Sequence, residues 1–178
     1  MKIRYAVAAA AWLALPAAGL AQDQAAKPWV SAYQRFSTET AAVADPYFNA
    51  YIAMDWAKVE ALAADNISVR DPTAARLFGA AGAEGKATVM HNFRTTYAGL
   101  KGMRFETTRT IHSGDLAIYE GALEWTLDMR DGRDVTSVTP MVIVLEVSDG
   151  KVVSHRDYVD YAPFVEAERA SRPARKAQ

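Results

Sequence analysis

The segment DLAIYEGALEWTLDM, residues 115–129, alternates along its length. Ala117, Tyr119, Gly121, Leu123, Trp125 and Leu127 fall on one side of an extended chain, and Glu120, Glu124 and Asp128 fall largely on the other. Successive side chains of a strand point to opposite faces, so this period of two describes a strand with one buried and one wet face. The same period continues in both directions. From Met103 onward the chain reads as four long strands, about 103–113, 115–129, 134–147 and 151–161, separated by Ser113-Gly114-Asp115, Arg130-Asp131-Gly132-Arg133 and Asp149-Gly150. Connections this short, built on Gly and Asp, are hairpin chemistry, so the strands are expected to be sequential and antiparallel. On the third of them Val142 is assigned to the inner face, and Met141, Ile143 and Leu145 to the outer one.

Before Met103 the period is helical. A helical region runs from about Trp29 to Met54, and Asp45-Pro46 interrupts it as an N-cap and first helical position. The helix so opened, YFNAYIAM, carries Phe48, Tyr51 and Ile52 on one face, with Tyr47 beside them. Asp55 caps a second helix, WAKVEALAA. The strand NISVR follows, ending at Asp71-Pro72, and the loop TAARLFGAAGAEG leads to a third helix, KATVMHNFRTTYAGL. Helices first and an antiparallel sheet after them predict an α+β domain. Its strongly curved sheet wraps around the N-terminal helices as a cone and leaves a pocket at the open end.

The chain has 178 residues, 51% of them hydrophobic, enough for one sizeable core. The start, MKIRYAVAAAAWLALPAAGLAQ, sets Lys2 and Arg4 ahead of an apolar run with Gly19 and Ala21 as small residues for a signal peptidase, so residues 1–21 read as a cleaved secretory signal. A linker over 22–28, one domain over 29–166 and a basic, solvated tail over 167–178 complete the expected organisation. The product is expected to be periplasmic or secreted, with no membrane insertion once the signal is removed. The sequence has no cysteine, which excludes disulfides, thiolate metal sites and lipid attachment through a thioether. Of the 20 basic residues Lys2 and Arg4 leave with the signal, so 18 face 21 acidic ones, a balance that does not favour nucleic acid. No histidine spacing indicates a metal site and no phosphate-binding loop is present, so neither metal nor cofactor is expected.

The order of elements, together with ALAADNISVRDP and DGKVVSHRDYVDY, resembles the nuclear transport factor 2-like superfamily over roughly Val43 to Glu166. Its members include ketosteroid isomerases, SnoaL-like polyketide cyclases and limonene epoxide hydrolases. Against the isomerases, PYFNAYIAMDWAKVEALAADNISVRDP aligns without a gap. The resemblance places Asp71 at the proton-shuttling aspartate and Tyr47 at the oxyanion-binding tyrosine, although Asp71 before a proline also reads as a turn or cap residue. Two positions depart from the family patterns. The isomerases carry an acid two residues after a proline on the third long strand, where Val142 follows Pro140. The epoxide hydrolases carry an Arg and an Asp where Gly121 and Leu123 stand. Asp157, in SHRDYVDY, is the replacement acid that the resemblance offers; if protonated in a dry pocket it donates a second hydrogen bond.

The implied pocket is lined by Tyr47, Tyr51, Phe93, Tyr119, Trp125 and Val142, with His155 on the strand face of Asp157. The resemblance implies an exported SnoaL-like protein that takes a hydrophobic small molecule and acts on it by acid/base chemistry of isomerase or cyclase type without a cofactor. A non-catalytic binding module, or a homodimer paired through the exposed face of its sheet, fits the same features. Epoxide hydrolysis fits them less well.

Overall fold

The computed structural model describes residues 27–79 and 82–173. The expected signal segment, most of the expected linker, residues 80 and 81, and the last five residues lie outside the described residues. The elements are α1 Pro28–Ile52, α2 Trp56–Leu62, β1 Ala63–Arg70, α3 Ala75–Phe78, β2 Gly82–Glu84, α4 Lys86–Thr96, β3 Leu100–Ser113, β4 Leu116–Asp128, β5 Asp134–Ser148, β6 Lys151–Val159 and α5 Ala162–Ser171. One curved, unclosed sheet holds all six strands in the order β2-β1-β6-β5-β4-β3. The run β3 to β6 is antiparallel throughout, as the hairpin turns predict, and β1 joins it parallel to β6. Tyr47, Phe48 and Tyr51 of α1 and Val89, Met90 and Phe93 of α4 are buried in one core cluster with Ile143, Leu145 and Val152 of the sheet. This is the expected α+β architecture.

Three expectations are corrected. First, α1 is continuous across Pro46. A proline inside a helix removes one backbone donor, here the one that would reach the Ala42 carbonyl. The helix tolerates that loss because Ala44, Tyr47 and Phe48, on either side of the break, are buried in the core. Asp45 is therefore no cap; it accepts hydrogen bonds from His112 Nε2 at 2.8 Å and Tyr119 Oη at 2.6 Å. Second, Met141, Ile143 and Leu145 face inward, at 4%, 0% and 0% exposure, and Val142 points to the outer side. Both faces of this stretch of β5 are apolar, with Val138, Val142 and Val144 opposing Met141, Ile143 and Leu145, so a period of two is present without saying which face is inside. Third, residues 167–171 are not tail but the second half of α5. Phe164 stacks on Trp125 at 4.6 Å, and Glu168 is paired with Arg133 and Arg172.

Gly121 marks a bulge. Thr107 pairs with Gly121 and Arg109 with Glu120, leaving Thr108 as the extra residue on β3. The Phe105 ring and the Glu106 carbonyl close over Gly121, occupying the space a side chain would need.

Candidate functional site

The concave face of the sheet and the helices set in it enclose a cavity of about 540 Å³. Leu123, Trp125, Met141 and Asp157 form its sheet wall, Tyr51, Phe93 and Tyr97 its helical wall, and Asp71, Phe78 and Tyr161 also line it. A volume of this size suits a small organic molecule.

Asp71 sits one residue past β1 and is followed by Pro72, which disfavours helical backbone in the residue before it. Its Oδ1 accepts from the backbone N–H of Thr73 at 2.9 Å, that of Ala74 at 2.7 Å and the Thr73 hydroxyl at 2.5 Å. Its Oδ2 accepts from the Tyr161 hydroxyl at 2.7 Å. The Thr73 hydroxyl oxygen in turn accepts from the Val159 N–H at 2.9 Å, tying the turn to the end of β6. The two readings of the Asp-Pro pair thus fall on different oxygens: one builds the turn, and the other is directed toward a tyrosine of the cavity wall.

Asp157 belongs to β6 and pairs with Ile143 of β5, so both side chains face inward. A row of hydrogen bonds runs through it. Oδ2 accepts from Tyr51 Oη at 3.1 Å and Oδ1 contacts His155 Nε2 at 2.8 Å. His155 Nδ1 contacts Tyr47 Oη at 3.2 Å, and Tyr51 Oη contacts Tyr97 Oη at 2.5 Å. The row follows from two spacings in the sequence. His155 and Asp157 lie two apart on a strand, and Tyr47 and Tyr51 four apart on a helix, so each pair shares a face. Burial first, and then the negative charge of Asp157, push the phenols of Tyr47, Tyr51 and Tyr97 well above their ordinary range. Burial, followed by the bond to Asp71, does the same to Tyr161. These four phenols keep their protons and serve as donors. Tyr51 gives its proton to Asp157, so Tyr97 donates to Tyr51; Tyr47 donates to Nδ1, so His155 carries its proton on Nε2 and donates it to Asp157.

Of the residues expected in the pocket, Tyr51, Asp71, Phe93, Trp125 and Asp157 lie on the cavity wall. Tyr47 does not: its hydroxyl is used by His155, which itself stands behind Asp157 with no exposure. Tyr119 stacks on Phe48 at 4.1 Å and bonds to Asp45 away from the cavity, and Val142 is on the outer face. Two wall tyrosines escaped the sequence reading. Tyr97 lies four residues after Phe93, one helical turn on, and Tyr161 continues the odd-numbered face of Asp157 and Val159; both periodicities could have found them.

Helices lodged in the concave face of a curved sheet, with a carboxylate-bearing cavity between them, define the nuclear transport factor 2-like fold. Residues 44–155 match the SnoaL-like domain, and the chain belongs to that family. A comparison with curated proteins finds no match. Solved structures do match. A protein from Shewanella denitrificans, assigned by likeness to the SnoaL-like polyketide cyclases, aligns with TM-score 0.66 at 14% identity over 74% of this chain and 97% of its own. An epoxide hydrolase of the limonene epoxide hydrolase-like type from Mycobacterium tuberculosis gives 0.57 at 19% identity over 75% and 92%. A protein of ketosteroid isomerase-like fold from Catenulispora acidiphila, in complex with trimethylamine, gives 0.58 at 15% identity over 70% and 90%. At these identities the likeness shows the fold and leaves the reaction to the site.

Proposed function

We propose that this SnoaL-like chain is exported and that its cavity takes a hydrophobic small molecule on which Asp71 moves a proton. The observation that carries this reading is the placement of two carboxylates, Asp71 and Asp157, on the wall of one largely apolar cavity, each fixed by a phenol. A positioned carboxylate beside an apolar ligand is suited to take a proton from carbon next to a carbonyl, and a neutral phenol is suited to donate to the oxygen that gains charge. Tyr97, on the wall where Tyr47 is not, takes the donor role that the resemblance gave to Tyr47 by turning its one O–H from Tyr51 to the ligand. The export half of the proposal rests on Lys2, Arg4 and the apolar run that follows them.

Asp71→Asn tests the chemistry. It removes the base and keeps an oxygen for the turn, so the turnover of a molecule that the cavity accepts, measured at saturation, should fall by about a hundredfold or more. Unchanged turnover would reject Asp71 as the base. A second reading, ligand carriage without reaction, is favoured by one observation: Oδ1 of Asp71 already accepts three hydrogen bonds and Oδ2 a fourth, so the residue has a structural task of its own.

The pairing of two copies is also proposed, on a revised surface. Val138 and Tyr158 are 55% and 43% exposed on the outer side of the sheet, beside Val142 and Val144. Apolar surface of this kind favours association. Light scattering should give twice the mass of the mature chain, and Val138→Lys combined with Tyr158→Lys should return it to one; a monomeric wild type would reject the pairing.

A further inference from the structure

The charge on the cavity wall is one-sided. Among the described residues that line the cavity, the charged side chains are Asp71 and Asp157, and no Lys, Arg or His joins them. The nearest cations in sequence are turned away. Arg70 is paired with Glu84 and exposed, and Arg156 lies 3.7 Å from Glu146, on the opposite side of the sheet from Asp157. His155 stands behind Asp157, off the cavity wall, with Nε2 toward the carboxylate and Nδ1 toward Tyr47. The rest of the wall is largely apolar and rich in aromatic rings, among them Tyr51, Phe78, Phe93, Tyr97 and Trp125, whose faces are negative poles of the ring quadrupole.

Such a cavity repels an anion, and a neutral ligand leaves its two hydrogen-bonded carboxylates with no cation on the wall beside them. A cation attached to an apolar body answers both features, pairing with the carboxylates and lying against ring faces. We propose that the ligand of this cavity is a hydrophobic amine, bound as its ammonium form. The inference rests on the reading above that the cavity is a small-molecule site, and it names the class of molecule.

Three probes that share one ring system and differ in charge separate the two ideas. The mature protein is titrated by calorimetry at neutral pH with 2-(aminomethyl)naphthalene, 2-naphthalenemethanol and 2-naphthoate. The amine should bind about tenfold or more tighter than the alcohol, and the carboxylate should bind more weakly than either. Asp157→Asn should remove most of the amine's advantage while leaving the alcohol's affinity within about threefold. If that variant does not fold, the comparison on the unaltered protein still decides. An alcohol that binds as tightly as the amine, or a carboxylate that binds best, overturns the amine proposal and leaves the small-molecule site standing. Absence of binding by all three overturns the small-molecule reading and the amine proposal with it.

Discussion

Gly121→Ala is expected to destabilise the domain by about 3 kcal/mol or more, because it forces overpacking against backbone. A methyl group there would lie 2.1 Å from the Glu106 carbonyl oxygen and 2.6 Å from Cε1 of Phe105. The ring could rotate away, but the carbonyl belongs to β3 and cannot retreat without opening the β3–β4 ladder at its bulge. For a domain of this size each kcal/mol lowers the melting temperature by about 2–4 °C, so thermal unfolding followed by circular dichroism should show a drop of about 10 °C. Gly102→Ala is the matched control, since nothing stands within 4 Å of a methyl group there and its φ is not positive. Equal melting of the two variants would contradict the packing described for Gly121.

His155→Leu is expected to cost about 3 kcal/mol, through unpaired polar groups. The residue is fully buried, supplies a donor to Asp157 at 2.8 Å and accepts from Tyr47 at 3.2 Å. Leucine fills comparable space but leaves a carboxylate oxygen without one of its donors and a buried phenol without an acceptor. Removing one partner of a buried polar pair is worse than removing both, so adding Asp157→Leu should recover part of the loss. Denaturant titration of wild type, the single variants and the double variant measures this coupling. Additive losses, or a His155→Leu variant as stable as wild type, would show that the row of hydrogen bonds does not hold the site.

What could be read beforehand follows from how single-valued each local signal is. The alternation in 115–129 has apolar residues on one face and acids on the other, and the strand it predicts is β4. The hairpin turns fixed the antiparallel order because Gly and Asp leave few alternatives at two to four residues. On β5 the same period failed to orient the strand, since valines stand on both faces. Pro46 misled because helix-breaking is a local cost of one hydrogen bond, and burial on both sides outweighs it in α1. The basic residues of α5 suggested a solvated end, although Phe164 and Glu168 on the same segment dock it against Trp125 and Arg133. In the site, Asp71 and Asp157 were visible as acids at strand positions. The alignment gave the donor role to Tyr47, while the structure turns that hydroxyl to His155 and brings Tyr97 and Tyr161 to the wall.

The central claim, proton transfer by Asp71 on a molecule held in the cavity, is tested most directly by isotope exchange. Native mass spectrometry of the protein from its own cells identifies any small molecule it retains, which is then returned to the protein in heavy water and weighed again. The account predicts that wild type carries deuterium into a carbon position of the bound molecule and that Asp71→Asn, with the molecule still bound, does so about a hundredfold more slowly. Equal deuterium uptake with both proteins, or none with either, would contradict it.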